Sequence, residues 1–428
     1  MSDRVDPARW QRHLDRFQAD GRLPSVVGCV LRGGEPVWSG GAGDVPGDPT
    51  DVQYRIGSIT KTLVAVLVLR CRDAGELGLD DRLGRFLPGT GYAGATLRSL
   101  LAHTSGMQSE PVGPWWERSP GVDFARLAAV NDGSRAVAGP GEYHHYSNLG
   151  FALLGEVVAR VRGADWWDVA RDELLVPLGM DRTTYHPETP HADGFSVGHF
   201  TGALTREPHQ DTGAMAPAGQ LWSTVDDVAR WLDFLATGQH DVLARETLLE
   251  MARPVLPSDG AAEDYGLGLR LLTTPDGRRL VGHTGSMPGF LATAFVDQDT
   301  RDGVVALTNA TTGVATDALA LDLLAGVDPD PALQPWEPSA DVPERVAELL
   351  GLWFWGNTAL AMRWHNGFLE THTLALPQLS DRYAVTPDRI VGVEGYHLGE
   401  TLHVHRTPRG TVDHLECATF VYTRHPTR

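Results

Sequence analysis

The chain reads as an α/β protein in two parts. A larger domain builds one sheet from both of its ends around an α-helical insertion, and a small all-β barrel follows it. Three observations predict this. Strand-like patterns gather near both ends of residues 1–326, while residues 96–238 read as interrupted helix. Pro329, Pro331, Pro335, Pro338 and Pro343 then crowd into residues 327–343, the composition of a linker. Beyond it, residues 344–428 run in short alternating segments separated by turns.

In chain order, Trp10, Leu14 and Phe17 recur at helical spacing, predicting an amphipathic helix over 7–18. Residues 26–31 and 36–39 are strands joined by Arg32-Gly33-Gly34-Glu35, a hairpin signal. A helix opens at Gly57-Ser58 and continues through Leu63, Val66, Leu67 and Leu69 to a stop near Gly75, and Asp80-Asp81 caps a short helical segment before Pro88. Within the insertion, residues 97–102 lead into a His103-Thr104-Ser105-Gly106 turn. Helices follow at 149–161, 166–175 and 226–235, the last capped by Ser223-Thr224 and stopped by Gly238. Strands return at 266–272, 279–282, 290–297 and 303–309, and a helix closes the domain over 314–324. In the tail, strands are expected at 361–364, 368–372, 389–393, 402–406 and 417–423.

Composition narrows the function. Hydrophobic content of 42% and charged content of 21% are those of a globular protein. A net charge of −19 excludes a nucleic-acid surface or an anionic membrane as the natural partner. The longest apolar run, residues 63–69, is too short to span a bilayer, and the polar first ten residues lack a signal-peptide core, so a cytoplasmic location is expected. Cys29, Cys71 and Cys417 are scattered and lack metal spacing, which predicts buried, reduced thiols. Seven of the seventeen histidines lie in residues 351–428, with His403 and His405 on one strand face, but no carboxylate or cysteine cluster completes a set. No metal or cofactor is expected.

The chemistry centres on Ser58-Ile59-Thr60-Lys61. Lys61 is the only lysine in the chain; the other thirty-five basic residues are arginine. Arginine cannot give up its proton in a protein, whereas a desolvated lysine can become a neutral base. Three residues is nearly one helical turn, so the serine hydroxyl and the lysine share a face. Two further stretches accompany the pair. Tyr146-Ser147-Asn148 precedes the helix at 149–161, and His283-Thr284-Gly285-Ser286 ends a predicted strand before a Pro-Gly turn. His144 and His145 adjoin Tyr146, Trp115-Trp116 are candidates to wall an acyl pocket, and His103 in its turn suits a structural, backbone-capping role.

These three motifs in this order resemble the serine β-lactamase and penicillin-binding-protein superfamily, most of all its class C, DD-peptidase and esterase-like branch. Leu100-Leu101-Ala102-His103-Thr104-Ser105-Gly106-Met107, Pro177-Leu178-Gly179-Met180 and Ala216-Pro217-Ala218-Gly219 add to the likeness, which covers roughly residues 10–325. The resemblance implies a β-lactamase-like sheet with Ser58 as acyl-accepting nucleophile. Lys61 and Tyr146 would share the proton transfers, the tyrosine pKa being pulled down by the adjacent ammonium. It further implies that Asn148 bonds Lys61 and the substrate amide, and that Ser58 and Ser286 N–H groups form an oxyanion hole, with Gly285 allowing close approach and Thr284 beside it. The family's usual Lys-Thr-Gly is departed from: His283 stands for the lysine, a weaker site for a substrate carboxylate. The tail resembles the lipocalin-like barrels appended to some members.

The implied function is a serine hydrolase cleaving an ester or peptide-like amide, with a small-molecule or peptide-like acyl substrate as partner. Alternatives are a penicillin-binding-protein-type thioesterase that releases and cyclises nonribosomal peptides from a carrier protein, a weak β-lactamase or DD-peptidase, and a non-catalytic ligand-binding protein on the same fold.

Overall fold

In the computed structural model, residues 7–256, 263–312, 315–325, 334–339, 342–374 and 379–426 are described. By internal packing the chain forms two units. One comprises Met1–Phe195 with Glu207–Pro335; the other comprises Ser196–Arg206 with Trp336–Arg428. Of the expected linker, 327–343, residues 327–333 and 340–341 lie outside the described residues. Residues 196–206, two short strands from the middle of the insertion, group with the second unit.

In the first unit, α1 (Pro7–Gly21) precedes the hairpin β1 (Ser25–Arg32) and β2 (Glu35–Gly43). The insertion carries α2 (Thr60–Asp73), α3 (Asn148–Arg162) and α4 (Val225–Thr237). The chain then returns as β3 (Glu263–Tyr265), β4 (Arg270–Thr273), β5 (Arg279–Met287), β6 (Phe290–Asp297) and β7 (Gly303–Thr308), and ends in α5 (Thr316–Ala325). The seven strands pair in the order β2-β1-β7-β6-β5-β4-β3, all antiparallel, so both ends of the unit meet at the β1–β7 pair.

Strand alternation decides which helices cover which face. Val27, Cys29, Leu31, Val305 and Leu307 join one hydrophobic cluster with α2, α3 and α4. The alternate residues Val26, Val30, Val304 and Phe295 are equally buried and turn the other way, toward α1 and α5. A sheet covered on both faces explains why its central strands read as unbroken apolar runs. Similarly, α2 is buried along residues 60–69 and at Cys71, a helix apolar all round because it is packed all round. Cys29, Cys71 and Cys417 are free and buried. Among the described residues no helix is long and apolar enough to cross a membrane.

Two strand expectations shift. The predicted strand 266–272 is divided: Gly268, with φ +78°, helps turn the chain between β3 and β4, and the strand proper starts at Arg270. The strand predicted to end at 282 continues to Met287, pairing Ala294 with His283, Thr293 with Thr284 and Ala292 with Gly285. The His-Thr-Gly-Ser motif is therefore part of the sheet, not its end.

The second unit is a nearly closed eight-stranded antiparallel barrel: β8 (Gly351–Trp355), β9 (Thr358–His365), β10 (Phe368–Thr373), β11 (Leu379–Val385), β12 (Ile390–Gly395), β13 (Leu402–Arg406), β14 (Val412–Cys417) and β15 (Phe420–Thr423). Their order is β12-β11-β10-β9-β8-β15-β14-β13. The two end strands approach through Gly392 N–H donating to Glu400 O at 2.8 Å and a Val391–Thr401 bridge. Three of these strands, β8, β11 and all but the last residue of β14, escape the sequence reading. β8 exposes Leu352 and Trp355 while burying Trp353, and β11 buries the charged Asp381, so neither alternates cleanly. The predicted strand 417–423 is cut in two by Ala418, which turns the chain at φ +51°.

Candidate active site

Ser58 sits on a 3-10 turn, Gly57–Ile59, that runs straight into α2 and so carries Lys61 in the first helical turn. Lys61 is completely buried; its Nζ donates to Ser58 Oγ at 2.8 Å and to Ala218 O at 2.5 Å. Neither bond goes to a carboxylate. Burial without an ion-pair partner pushes the Lys61 ammonium down to about 7, against a weaker upward pull from Glu110 and Glu117.

Two glycines let β5 lie against this turn. A Cβ on Gly57, whose φ is +52°, would stand 2.6 Å from Ser286 N, and one on Gly285 would stand 1.9 Å from Ile56 O. Ser286 is thereby held beside Ser58 with its side chain exposed to the cleft. The cleft, about 520 Å³, is lined by Ser58, His144, Tyr146, Tyr265, Arg270, His283, Thr284, Gly285, Ser286 and Asp317 among others. A larger cavity of about 670 Å³, walled by Trp166, Trp167, Tyr185 and Pro217, touches none of the three motifs.

Tyr146 lines the same cleft as Ser58, and its ring centroid lies 5.1 Å from Lys61 Nζ. The expectation of a lowered tyrosine pKa is corrected. Burial pushes the phenol well above its ordinary range, outweighing the smaller downward pulls of the Ser58 side chain and the Arg270 charge. Of the pair, the lysine is the group whose proton burial loosens.

The middle residue of the second motif is structural. Ser147 Oγ accepts from Gly150 N at 3.1 Å, capping α3, and donates to Gln108 O at 2.6 Å. Asn148 departs from expectation as well: its Nδ2 donates to Glu110 Oε1 at 2.6 Å, while the Lys61 hydrogens go to Ser58 and Ala218. The other Glu110 oxygen accepts from Trp116 Nε1 at 2.7 Å. Trp116 is thus anchored inward. Trp115 is 59% exposed, donates to Glu117 Oε2 at 2.7 Å and lies under the Arg118 guanidinium. Neither tryptophan lines the cleft around Ser58, which corrects the pocket-wall expectation.

His283 is buried, and its protons can be counted. Ser147 N donates to His103 Nδ1 at 3.0 Å, so the His103 proton is on Nε2 and goes to Tyr265 Oη at 3.2 Å. Tyr265 then donates to His283 Nε2 at 3.1 Å, and His283 Nδ1 donates to Thr284 O at 2.5 Å. Burial and the nearby Lys61 hold both imidazoles well below their usual pKa. His283 is therefore a neutral link in a fixed chain, and His103 ties that chain to the backbone of the second motif.

The cation in the cleft comes from elsewhere. Arg270 on β4 donates through Nη1 to Thr284 Oγ1 and through Nη2 to Asp317 Oδ2 at 3.1 Å. Sequence reading missed it, since one arginine among thirty-five carries no mark. The Tyr265-Gly266-Leu267-Gly268 run was the available signal: its two glycines announce the turn that folds Arg270 and Tyr265 onto β5. Glu110 and the Ala218 carbonyl were likewise invisible to motif spacing.

The family model described as Beta-lactamase matches residues 10–327, and the chain belongs to that family. Residues 342–424 match a second model, described as Domain of unknown function (DUF7586). The chain is 25% identical over 281 residues to Penicillin-binding protein 4* of Bacillus subtilis (strain 168), covering 61% of each, so it spans about three-fifths of that relative's length. A D-stereospecific amidohydrolase structure from Streptomyces sp. aligns with TM-score 0.64 and 27% identity over 75% of this chain and 99% of that one. A structure of SurE aligns with TM-score 0.62 and 25% identity over 98% of both chains.

Proposed function

We propose that this chain is a serine hydrolase working through an acyl-enzyme on Ser58, with a peptide-like amide or an ester as substrate. The observation that carries the reading is the 2.8 Å contact between the buried Lys61 amine, held near pKa 7, and Ser58 Oγ. A serine hydroxyl is a weak nucleophile until a neighbouring base takes its proton. At neutral pH a large share of Lys61 is the neutral amine, and Nζ accepts the Ser58 proton as Oγ bonds to the scissile carbonyl carbon. The carbonyl electron pair moves onto oxygen, facing the N–H groups of Ser58 and Ser286. As the carbonyl re-forms, the bond to the leaving amine or alkoxide breaks, and the proton passes to it from Lys61 by way of the Tyr146 hydroxyl. A water deprotonated along the same route releases the acid and restores Ser58.

Arg270, paired with Asp317, and the Thr284 hydroxyl give the same cleft a polar wall that suits a peptide-like substrate. The D-stereospecific amidohydrolase among the aligned structures supports a D-configured acyl group.

Incubation with D-amino-acid amides, p-nitrophenyl esters, peptidyl thioesters and a fluorophosphonate, followed by mass spectrometry of Ser58, tests the reading. A Ser58 adduct that is absent in Ser58→Ala and in Lys61→Arg is expected. Product released as a cyclised or aminolysed peptide instead of an acid would favour the thioesterase alternative. Failure of every probe to modify Ser58 would leave the non-catalytic binding protein.

A further inference from the structure

Away from the cleft, His191, Asp193 and His209 bring their side-chain donor atoms within 4.8 Å of one another. We propose that these three residues form a divalent-metal site, with Zn²⁺ as the ion it suits best. The proposal is independent of the acyl-enzyme reading.

Three features support it. The donor set is two imidazoles and a carboxylate, a combination that binds Zn²⁺ with a fourth position left for water. The three residues are half-buried, and His191 Nδ1 is a buried ring nitrogen without a hydrogen-bond partner, a cost that a metal bond would remove. The rings are also held in place beforehand. Trp222 meets His191 at 5.8 Å and His209 at 4.9 Å between centroids, both edge-to-face, and Phe290 lies 5.7 Å from His209. Zn–N bonds of about 2.0 Å put ligand atoms about 3.3 Å apart, so small ring rotations close the set.

The position gives the site a purpose. His191 and Asp193 lie just before residues 196–206 and His209 just after them, where Glu207 N–H donates to Gly194 O at 2.9 Å. A metal here would clamp the two chain passages at the base of that excursion. It would also brace Phe290, the first residue of β6, directly after the strand that carries Ser286. Among the described residues two other clusters could hold an ion, and both are on the barrel. In one, His397 Nδ1 is already 3.0 Å from Asp381 Oδ2; the other joins the half-exposed His405 to His414 and Glu416.

The test uses the full chain, stripped with chelator and titrated with Co²⁺ and then Zn²⁺. Wild type is expected to develop visible Co²⁺ d–d absorption that Zn²⁺ displaces, and to gain Tm with Zn²⁺. H191N and H209N are expected to lose both responses, while H405A on the barrel keeps them. Should H209N fail to fold, H191N and D193N carry the test, since His191 Nδ1 has no hydrogen bond to lose. Unchanged Co²⁺ absorption and Zn²⁺-dependent Tm in H191N, or no metal bound by wild type, would overturn the site.

Discussion

Lys61 carries a cost in stability beside the reactivity proposed for it. Its folded pKa of about 7 lies below the ordinary 10.5, so between those values the unfolded chain binds the extra proton. Stability therefore rises with pH across that window, and the full penalty of the buried ammonium applies below about pH 7. Replacing it by methionine should raise stability by about 1–3 kcal/mol near pH 6. The gain should shrink toward zero as the pH approaches 10.5; chemical denaturation at three pH values measures it, and a gain that grows with pH would contradict the assignment. The proposed catalysis follows the same titration in the same direction. The acylation rate should climb through an apparent pKa near 7 and then hold level, because Tyr146 stays protonated far above that. Stopped-flow release of p-nitrophenol gives this profile. A rate that falls as pH rises through 7 would require Lys61 to act as the ammonium.

At the scale of elements, the site depends on how closely β5 approaches the Ser58 turn. Gly285 faces Ile56 O with no room for a methyl group, so Gly285→Ala must push the strand outward and carry Ser286 N–H with it. Loss of one oxyanion donor costs about 10²–10³ in rate, and a fall of that size is expected with the Tm lowered only modestly. Near-normal acylation in that variant would show that the Ser286 donor is dispensable. This dependence also marks what was legible in the sequence. The hairpin at residues 25–43, the buried α2 and α3, and strands β6 and β7 have patterns that local periodicity fixes. The continuation of β5 through His-Thr-Gly-Ser did not, because a polar stretch with a central glycine reads as a turn until its partner β6 is known. The roles within the site divide in the same way. Ser58, Lys61, Tyr146 and Ser286 are brought together by motif-bearing segments, whereas the turning of Asn148 to Glu110 and the neutral placing of His283 depend on burial and on residues far away in sequence.

Over the whole molecule, the two-part organisation was visible from proline content and the change of period, but the membership of residues 196–206 was not. They lie inside the insertion by sequence, yet their backbone and side chains bond within the second unit. Trp364 N–H donates to Phe200 O at 2.7 Å, Ser339 N–H to Gly202 O at 3.2 Å, and Arg363 Nη2 lies 3.0 Å from His199 Nε2. No local pattern announces such a pairing across more than 130 residues, since short strands of mixed polarity have no preferred partner. The pairing has a consequence for cutting the chain. If a protease site is introduced at residues 328–332 and cleaved, the N-terminal piece keeps 196–206 while the C-terminal piece keeps its partners. Loop connectivity then no longer contributes, while the hydrogen bonds of residues 196–206 inside the second unit remain to hold the pieces. Size-exclusion chromatography at micromolar concentration should find them co-migrating. Disrupting the contact by replacing residues 197–205 with a Gly-Ser turn should separate them after cleavage and lower the barrel's unfolding temperature. Separate elution of the cleaved but otherwise unaltered pieces would mean that the excursion is held by connectivity alone.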